Sequence, residues 1–282
     1  MADDLAGDVV AAVPVVAAVG RRRGQIGTSW TAGVAGGAGL LLAWELIALY
    51  WLHQRDGVPT PVAVARVMWH DLTSHYIFHV ASLTVKEALQ GFVVADVAAI
   101  ALAIAFVQFP PLERLLLRLT VATYCLPLIA LVPILSSVFG SQSTAPRATI
   151  AALLVFFTTL VGTLLGLRSA DASSLELVRA YGGGSWAQLR KVRLKSALPY
   201  IMAALRIAAP TAVLGALIGE ELGAGGGGSG IGVVMISTQQ RLQVADTWAL
   251  AGWATLLAGL GYVIVGLVGR AVVPWSATGR RS

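Results

Sequence analysis

Six long apolar runs separated by short charged segments constrain this chain more than any other feature. They lie at about Trp30 to Leu52, Phe78 to Val107, Leu115 to Phe139, Ala148 to Leu167, Tyr200 to Leu222 and Ala249 to Gly269. Each can cross about 30 Å of hydrocarbon as a helix, which takes about 20 residues. Inside a bilayer each backbone N–H and C=O must find a partner within the protein, so such runs are expected to be helices. The predicted fold class is therefore all-α, a polytopic membrane protein with about six transmembrane helices. Composition agrees: 57% of the 282 residues are hydrophobic and 12% charged, where a soluble domain carries about 25% charged residues. The expected organisation is a tail over residues 1–29, a membrane domain over 30–269 and a second tail over 270–282. An earlier apolar run, Val9 to Val19, is too short to span, holds Pro14 and follows acids rather than bases. It reads as neither a span nor a good signal peptide.

The net charge of +6 does not point to nucleic acid, because the charges sit in short segments between apolar runs. Their distribution instead orients the chain. With both termini on the cytoplasmic side, fourteen of the 20 Lys and Arg residues fall in cytoplasmic segments, among them Arg21, Arg22, Arg23, Arg168, Arg179, Arg190, Lys191, Arg193, Lys195 and Arg270. Only Arg55, Arg66, Arg147 and Arg241 fall outside. Positive charge concentrates in cytoplasmic loops, so the expected location is a cell inner membrane with N- and C-termini inside. Cys125 is the one cysteine, so one chain can form neither a disulfide nor a Cys-based zinc site.

The longest expected cytoplasmic connection is residues 168–199. Ser173-Ser174-Leu175-Glu176 reads as a capping box, with Ser173 as N-cap of a short helix running to about Tyr181. Gly182, Gly183 and Gly184 stop that helix. Ser185 is suited to cap a second one, in which Trp186, Leu189, Val192 and Leu194 alternate with Gln188, Arg190, Lys191, Arg193 and Lys195. Leu198-Pro199 is expected to end this second helix and open the fifth span. A basic amphipathic pair of this kind suits an anionic membrane-lipid surface, or a groove on a protein partner.

The residues Glu176-Leu177-Val178, Gly182, Val192 and Leu194 decide between these in favour of the partner. They resemble the Glu-Ala-Ala-x3-Gly-x9-Ile-x-Leu-Pro loop of permease subunits in ATP-binding-cassette importers. Glu, Gly and Leu stand in place; Leu177 and Val178 replace the alanines, Val192 the isoleucine and Lys195 the proline. A second Leu-Pro at Leu198-Pro199 resembles the nitrate, sulfonate, taurine and bicarbonate branch. So do Ser82-Leu83, Gly91-Phe92, Pro127, Pro133, Phe139-Gly140, Glu220-Glu221 and the Gly-Ile-Gly at Gly230 to Gly232. The resemblance covers about Ser82 to Gly269. It implies a binding-protein-dependent permease of MetI-like fold, whose cytoplasmic coupling-helix loop seats in an ATPase. The coupling residues are then Glu176, Arg179, Gly182, Gly183, Trp186, Val192, Leu194 and Pro199. Implied partners are a cytoplasmic ABC ATPase dimer, a second permease copy or related permease, and an extracytoplasmic solute-binding protein. The chain is then a transport subunit with no cofactor of its own, ATP and Mg being held by the ATPase. The solute is expected to be a small anion such as a sulfonate, nitrate or bicarbonate.

Other residues carry weaker signals. Gly223 to Gly230 contains a formal G-x-G-x-x-G, but it follows a transmembrane helix and no βαβ unit surrounds it. A chain reversal or gate loop is the better reading. No G-x-x-x-x-G-K-[ST] is present, so this chain supplies no phosphate cradle of that type. His70, His75 and His79, with Asp71 nearby, lie on an outer segment, and the spacing of His75 and His79 puts them on one helix face. An interfacial helix, Pro61 to His75, anchored by Trp69 and Tyr76, is nevertheless a better reading than a metal site. Asp96 lies inside the second span, where a charge costs about 2.5–3.5 kcal/mol at a helix centre; it is either an interhelical hydrogen-bonding residue or part of a pathway. Glu45, Lys86 and Glu87 raise the same question. Arg206 and Glu220 are fourteen positions apart, about 21 Å along a helix, so they mark opposite ends of the fifth span. With Asp96, Thr211 and Glu221 they form the candidate pathway or gate. The competing class is an ion-gradient-driven secondary transporter, for which no convincing internal repeat is found.

Overall fold

The structure, a computed structural model, describes residues 29–50, 57–113, 127–140, 143–223 and 228–274. The first part of the third predicted span, residues 115–126 with Cys125, lies outside them. So do the arginines at 21–23, residues 224–227 of the glycine-rich stretch and residues 275–282. Among the described residues the elements are helical: α1 (Ser29–Tyr50), α2 (Pro61–Thr73), α3 (Tyr76–Gln108), α4 (Leu128–Phe139) and α5 (Ala145–Arg168). They continue with α6 (Ala172–Ala180), α7 (Ser185–Gln188), a π-helical turn (Leu189–Arg193), α8 (Leu194–Leu222), α9 (Ile231–Gln240) and α10 (Val244–Val272). Five stretches are long and apolar enough to cross a membrane: Ala32–Tyr50, Tyr76–Gln108, Ala145–Arg168, Ser185–Leu222 and Val244–Val272. They correspond to the first, second, fourth, fifth and sixth predicted spans.

α5 is the centre of the bundle and packs most extensively against α8 and α3. In lipid, helix pairs gain little from excluding water, so close approach through small residues must supply the attraction. The contact faces are built that way: Ala88, Ala95, Ala151, Ala208, Ala212 and Ala216 form the middle of the core. A Cβ on Gly91 would stand 2.6 Å from Ala151 Cβ, and one on Gly215 would stand 2.5 Å from Ala151 Cα. Ala151 is therefore held between two glycines on opposite neighbours, α3 and α8. Larger side chains fill the two ends, Phe106, Leu160, Leu164 and Leu167 at one and Ile77, Val80, Ile231 and Leu250 at the other. Val93, Val94 and Val97 on α3 and Leu260, Val263, Ile264 and Leu267 on α10 point outward, a pattern suited to acyl chains.

The interfacial helix is close to its expected limits. Thr60 Oγ1 accepts from Ala63 N at 3.2 Å, and Pro61 occupies the first turn, where its missing N–H has no cost. The helix stops at Thr73 rather than His75, because His75 takes the left-handed conformation at φ 58° and turns the chain into α3. His75 therefore does not share a helix face with His79 as the spacing suggested.

Candidate functional site: a docking segment and a buried polar cluster

Two polar regions lie at opposite ends of the α3–α5–α8 core. At the end marked by Gln108, Arg168 and Leu194, the chain between α5 and α8 forms a helical finger. Its first helix, α6, is capped by Asp171, whose Oδ2 accepts from Ser174 N at 3.1 Å. This corrects the predicted capping box: Ser173 is already helical, and its hydroxyl donates to the Asp171 carboxylate. A carboxylate is the better acceptor at the positive end of a helix, so the helix begins earlier and Glu176 lies beyond the reach of a box. The Ser173 hydroxyl and the Ser174 N–H and hydroxyl hold the Asp171 carboxyl below its ordinary range.

α6 ends in the glycine turn as expected. Gly182 adopts φ +78°, a conformation glycine reaches without strain, and a Cβ on Gly183 would collide with Val178. Ser185 is the first residue of α7, not its cap; Gly184 holds the cap position without a side-chain bond. The second helix does not end at Leu198-Pro199 either. α7, the π turn and α8 run as one helix from Ser185 to Leu222, with Pro199 and Pro210 inside it. The break in the α ladder falls upstream of the proline, where Leu194 N bonds to Leu189 O, a five-residue step of the kind that often marks a functional position.

The finger has an outer and an inner face. Leu177, Tyr181 and Trp186 are 59%, 85% and 66% exposed, and Glu176, Arg179, Arg190, Lys191 and Lys195 are exposed around them. Inward, Gln188 Nε2 donates to Leu175 O at 3.4 Å, tying α7 to α6. Leu189 is buried against Ala103, Phe106, Leu164, Leu167 and Ile201, and Arg193 donates to Leu167 O. Val192 and Leu194 are half-buried. Arg168 pairs with Glu113 at the foot of α5. Displacing the finger must therefore move a side chain wedged among α3, α5 and α8.

At the opposite end, four buried polar side chains meet. Glu220 Oε1 accepts from Thr84 Oγ1 at 2.6 Å, and its Oε2 accepts from Gly232 N at 2.6 Å. Thr84 Oγ1 in turn accepts from Ile231 N at 2.9 Å. Arg147 Nη1 donates to Glu87 Oε1 at 3.1 Å; Glu87 and Glu220 are neighbours, and Arg147 lies within electrostatic reach of both. Glu220 and Thr84 thus satisfy the first N–H groups of α9, as a carboxylate at a helix N-terminus should. The Gly-Ile-Gly now has a physical reason, since a Cβ at Gly230 would overlap the Glu220 carboxylate and one at Gly232 would stand 2.8 Å from Leu217 O.

The remaining predicted residues are dispersed. Asp96 is buried, and its Oδ1 accepts from Thr159 Oγ1 at 2.6 Å across α3 and α5. Thr211 turns its hydroxyl back onto Ala208 O at 2.8 Å. Glu221 is half-buried beside the cluster's Glu220. Arg206 lies far from both glutamates, stacked on Tyr262 of α10. Sequence reasoning missed Arg147, Thr84 and Thr159. It placed Arg147 in an outer loop, although an arginine beside a span that faces a buried Glu87 was a usable signal. Among the described residues no group of three or more His, Cys, Asp and Glu is placed to hold a metal ion. His70 and Asp71 instead line a cavity of about 570 Å³ with Tyr76, Thr238, Arg241 and Asp246, where burial and then Asp246 push the Asp71 carboxyl above its ordinary range.

Residues 97–282 match the family described as the binding-protein-dependent transport system inner membrane component. The chain belongs to this family. Similar proteins include the riboflavin transport system permease protein RibX of Chloroflexus aurantiacus, 27% identical over 239 residues, covering 85% of this chain and 88% of that one. The formylaminopyrimidine transport permease protein ThiX of Halalkalibacterium halodurans is 28% identical over 236 residues, 84% and 92% of the two chains. The candidate aliphatic sulfonates transport permease SsuC of Bacillus subtilis is 25% identical over 260 residues, 92% of each. The protein is thus a multi-pass ABC transport permease subunit, not an enzyme. The matched region contains the finger, Arg147, Glu220 and the α9 turn.

Proposed function

We propose that this permease works in an ATP-driven importer. Its α6–α7 finger docks in a cytoplasmic ATPase, and its bundle forms the passage together with a second permease, identical or related. A binding protein outside the membrane delivers the solute, and ATP and Mg are held by the ATPase. The finger end then faces the cytoplasm together with both termini, in an inner membrane. The observation that carries this reading is the pairing of Leu177, Tyr181 and Trp186 on the outside of the finger with Leu189 on its inside. Aromatic side chains rimmed by charge are typical of the centre of a protein interface, and Leu189 passes any displacement of the finger to α3, α5 and α8.

In this mechanism ATP binding closes the ATPase pair, the fingers move with their grooves, and the inner mouth closes as the outer one opens. Rigid packing makes such a core switch between arrangements instead of deforming smoothly. The proposed solute is a small anion such as a sulfonate, nitrate or bicarbonate, in keeping with the branch resemblance and the relative named for sulfonates. Relatives named for riboflavin and formylaminopyrimidine make small heterocycles the competing class. Purifying the tagged permease from its own membrane tests the docking: an ATPase should accompany it, and should be lost with Glu176→Lys or Gly182→Pro. Copurification undiminished by both substitutions would contradict the reading. If no ATPase appears under conditions that keep other complexes intact, a gradient-driven transporter becomes the better account and Asp96 the first residue to test. Uptake assays with a sulfonate and with riboflavin then separate the solute classes.

A further inference from the structure

Arg206 is the one cation well inside α8, and the finger and the buried cluster leave it without a task. Its guanidinium carbon lies 4.0 Å above the centre of the Tyr262 ring on α10. Its Nε is buried without a hydrogen-bond partner, and among the described residues no carboxylate pairs with it. Gly266 makes this position possible, since a Cβ there would stand 2.9 Å from Arg206 Nε. A second arginine, Arg270, follows Tyr262 and Gly266 at successive four-residue steps, so all three share one face of α10. Arg206, Arg270, Pro199, Met202, Gly266 and Gly269 line a single groove of about 150 Å³. That is room for about five waters at ~30 Å³ each, enough for a phosphodiester.

Depth decides what fills the groove. Arg206 is twelve residues along α8 from Leu194, about 18 Å at 1.5 Å per residue, and a helical side chain leans back toward its own N-terminus. In this structure the Arg206 guanidinium lies over Tyr262, about two turns farther from the finger end than Arg270, which stands in the last turn of α10. Two cations line a groove whose walls are otherwise apolar or glycine, in the finger-side half of both α8 and α10. Arg270, exposed in the last turn of α10, is placed to keep its stem in hydrocarbon and its charge at the interface.

We propose that the α8–α10 groove binds the phosphodiester of an anionic phospholipid from the leaflet on the finger side, held by Arg206 and Arg270. Val265 and Val273 border the same groove and receive the upper acyl chain. The bound lipid pins the end of α10 against α8, the helix continuous with the finger. This site is independent of whether an ATPase docks on the finger, so its test can fail while that reading stands, and the reverse.

The test is native mass spectrometry of the purified permease, with any subunits that accompany it, after exchange into mild detergent containing phosphatidylglycerol. Wild type should retain the lipid. Arg206→Gln and Arg270→Gln should each weaken retention about fivefold, the effect of about one lipid-facing basic residue, while Arg190→Gln on the finger should not. Arg270 is exposed, so its variant keeps the test valid if Arg206→Gln folds poorly. Thermal midpoints in nanodiscs give a second reading: phosphatidylglycerol over phosphatidylcholine should stabilise wild type and not the variants. Unchanged lipid retention in both variants would overturn the proposal. Loss of stabilisation by inorganic phosphate or sulfate in the variants, with lipid retention unchanged, would also overturn it and assign the arginines to a soluble anion.

Discussion

The two ends of this bundle use polar residues in opposite ways. At the Glu220 end, Thr84, Glu87, Arg147 and Glu220 are nearly or fully buried and bonded to one another or to the α9 backbone. At the finger end, Glu176, Arg179, Trp186 and Lys191 face outward, and the finger holds to the core chiefly through Leu189 and Arg193. A buried ionic network contributes little net stability but is costly to break, so it fixes one arrangement of α3, α5, α8 and α9. The exposed finger has few ties, and those it has lead through Leu189 into the core. The difference separates a locked end from a drivable one, which is what the proposed docking of an ATPase on the finger requires.

Breaking the locked end should give the largest effect. Arg147→Met leaves Glu87 buried without its cation and should cost about 3–5 kcal/mol, the usual penalty for removing one partner of a buried pair. It is read as a lower thermal midpoint of the purified permease. Adding Glu87→Leu should recover part of that loss, since removing both charges spares the unpaired carboxylate.

The packing between the ends should be nearly as sensitive. Gly91→Val forces side-chain atoms into Ala151 and the Ala148 carbonyl, and overpacking of this kind costs about 1–3 kcal/mol. The same midpoint measurement checks it, with exposed Val94→Leu as a control that should not respond.

The drivable end should behave differently. Trp186→Ala should move the midpoint by no more than about 0.5 kcal/mol, as for surface positions generally. It should weaken ATPase binding by about 2 kcal/mol, roughly 30-fold, as for an interface anchor. Titrating the ATPase onto the permease reads the second quantity.

The smallest effect is at the finger's own cap. Asp171→Ala should loosen the first turn of α6, seen as faster amide exchange at Ser174. The carboxyl of Asp171 is held low by its bonds to Ser173 and Ser174. The cap's contribution is therefore present above the ordinary Asp value of 3.8 and is lost as pH falls through the lower folded value. Wild-type exchange at Ser174 should approach that of the variant only in strong acid.

Much of the fold was legible because its causes are local. Apolar length placed the first, second, fourth, fifth and sixth predicted spans, and Gly182 to Gly184 marked the turn in the finger. Errors arose where neighbouring signals compete: Asp171 displaced Ser173 as cap, and Pro199 was absorbed within a helix whose ladder shifts at Leu189. The buried cluster was illegible for another reason. Bringing Arg147 to Glu87, and Glu220 to Thr84 and the α9 turn, depends on the relative heights of three helices whose Arg147–Glu87 and Glu220–Thr84 pairs join residues 60 and 136 positions apart, and no local pattern sets those heights. Glu220 was singled out as a gate residue; in this arrangement its carboxylate is occupied by Thr84 and the Gly232 N–H.

The most direct test of the drivable end is hydrogen exchange across residues 172–193, comparing the permease in its assembly with the same permease stripped of the ATPase. Slower exchange in the assembly over α6 and α7, with exchange at Thr84, Arg147 and Ile231 unchanged, is the result this account predicts. Equal exchange of the finger in both preparations would contradict it.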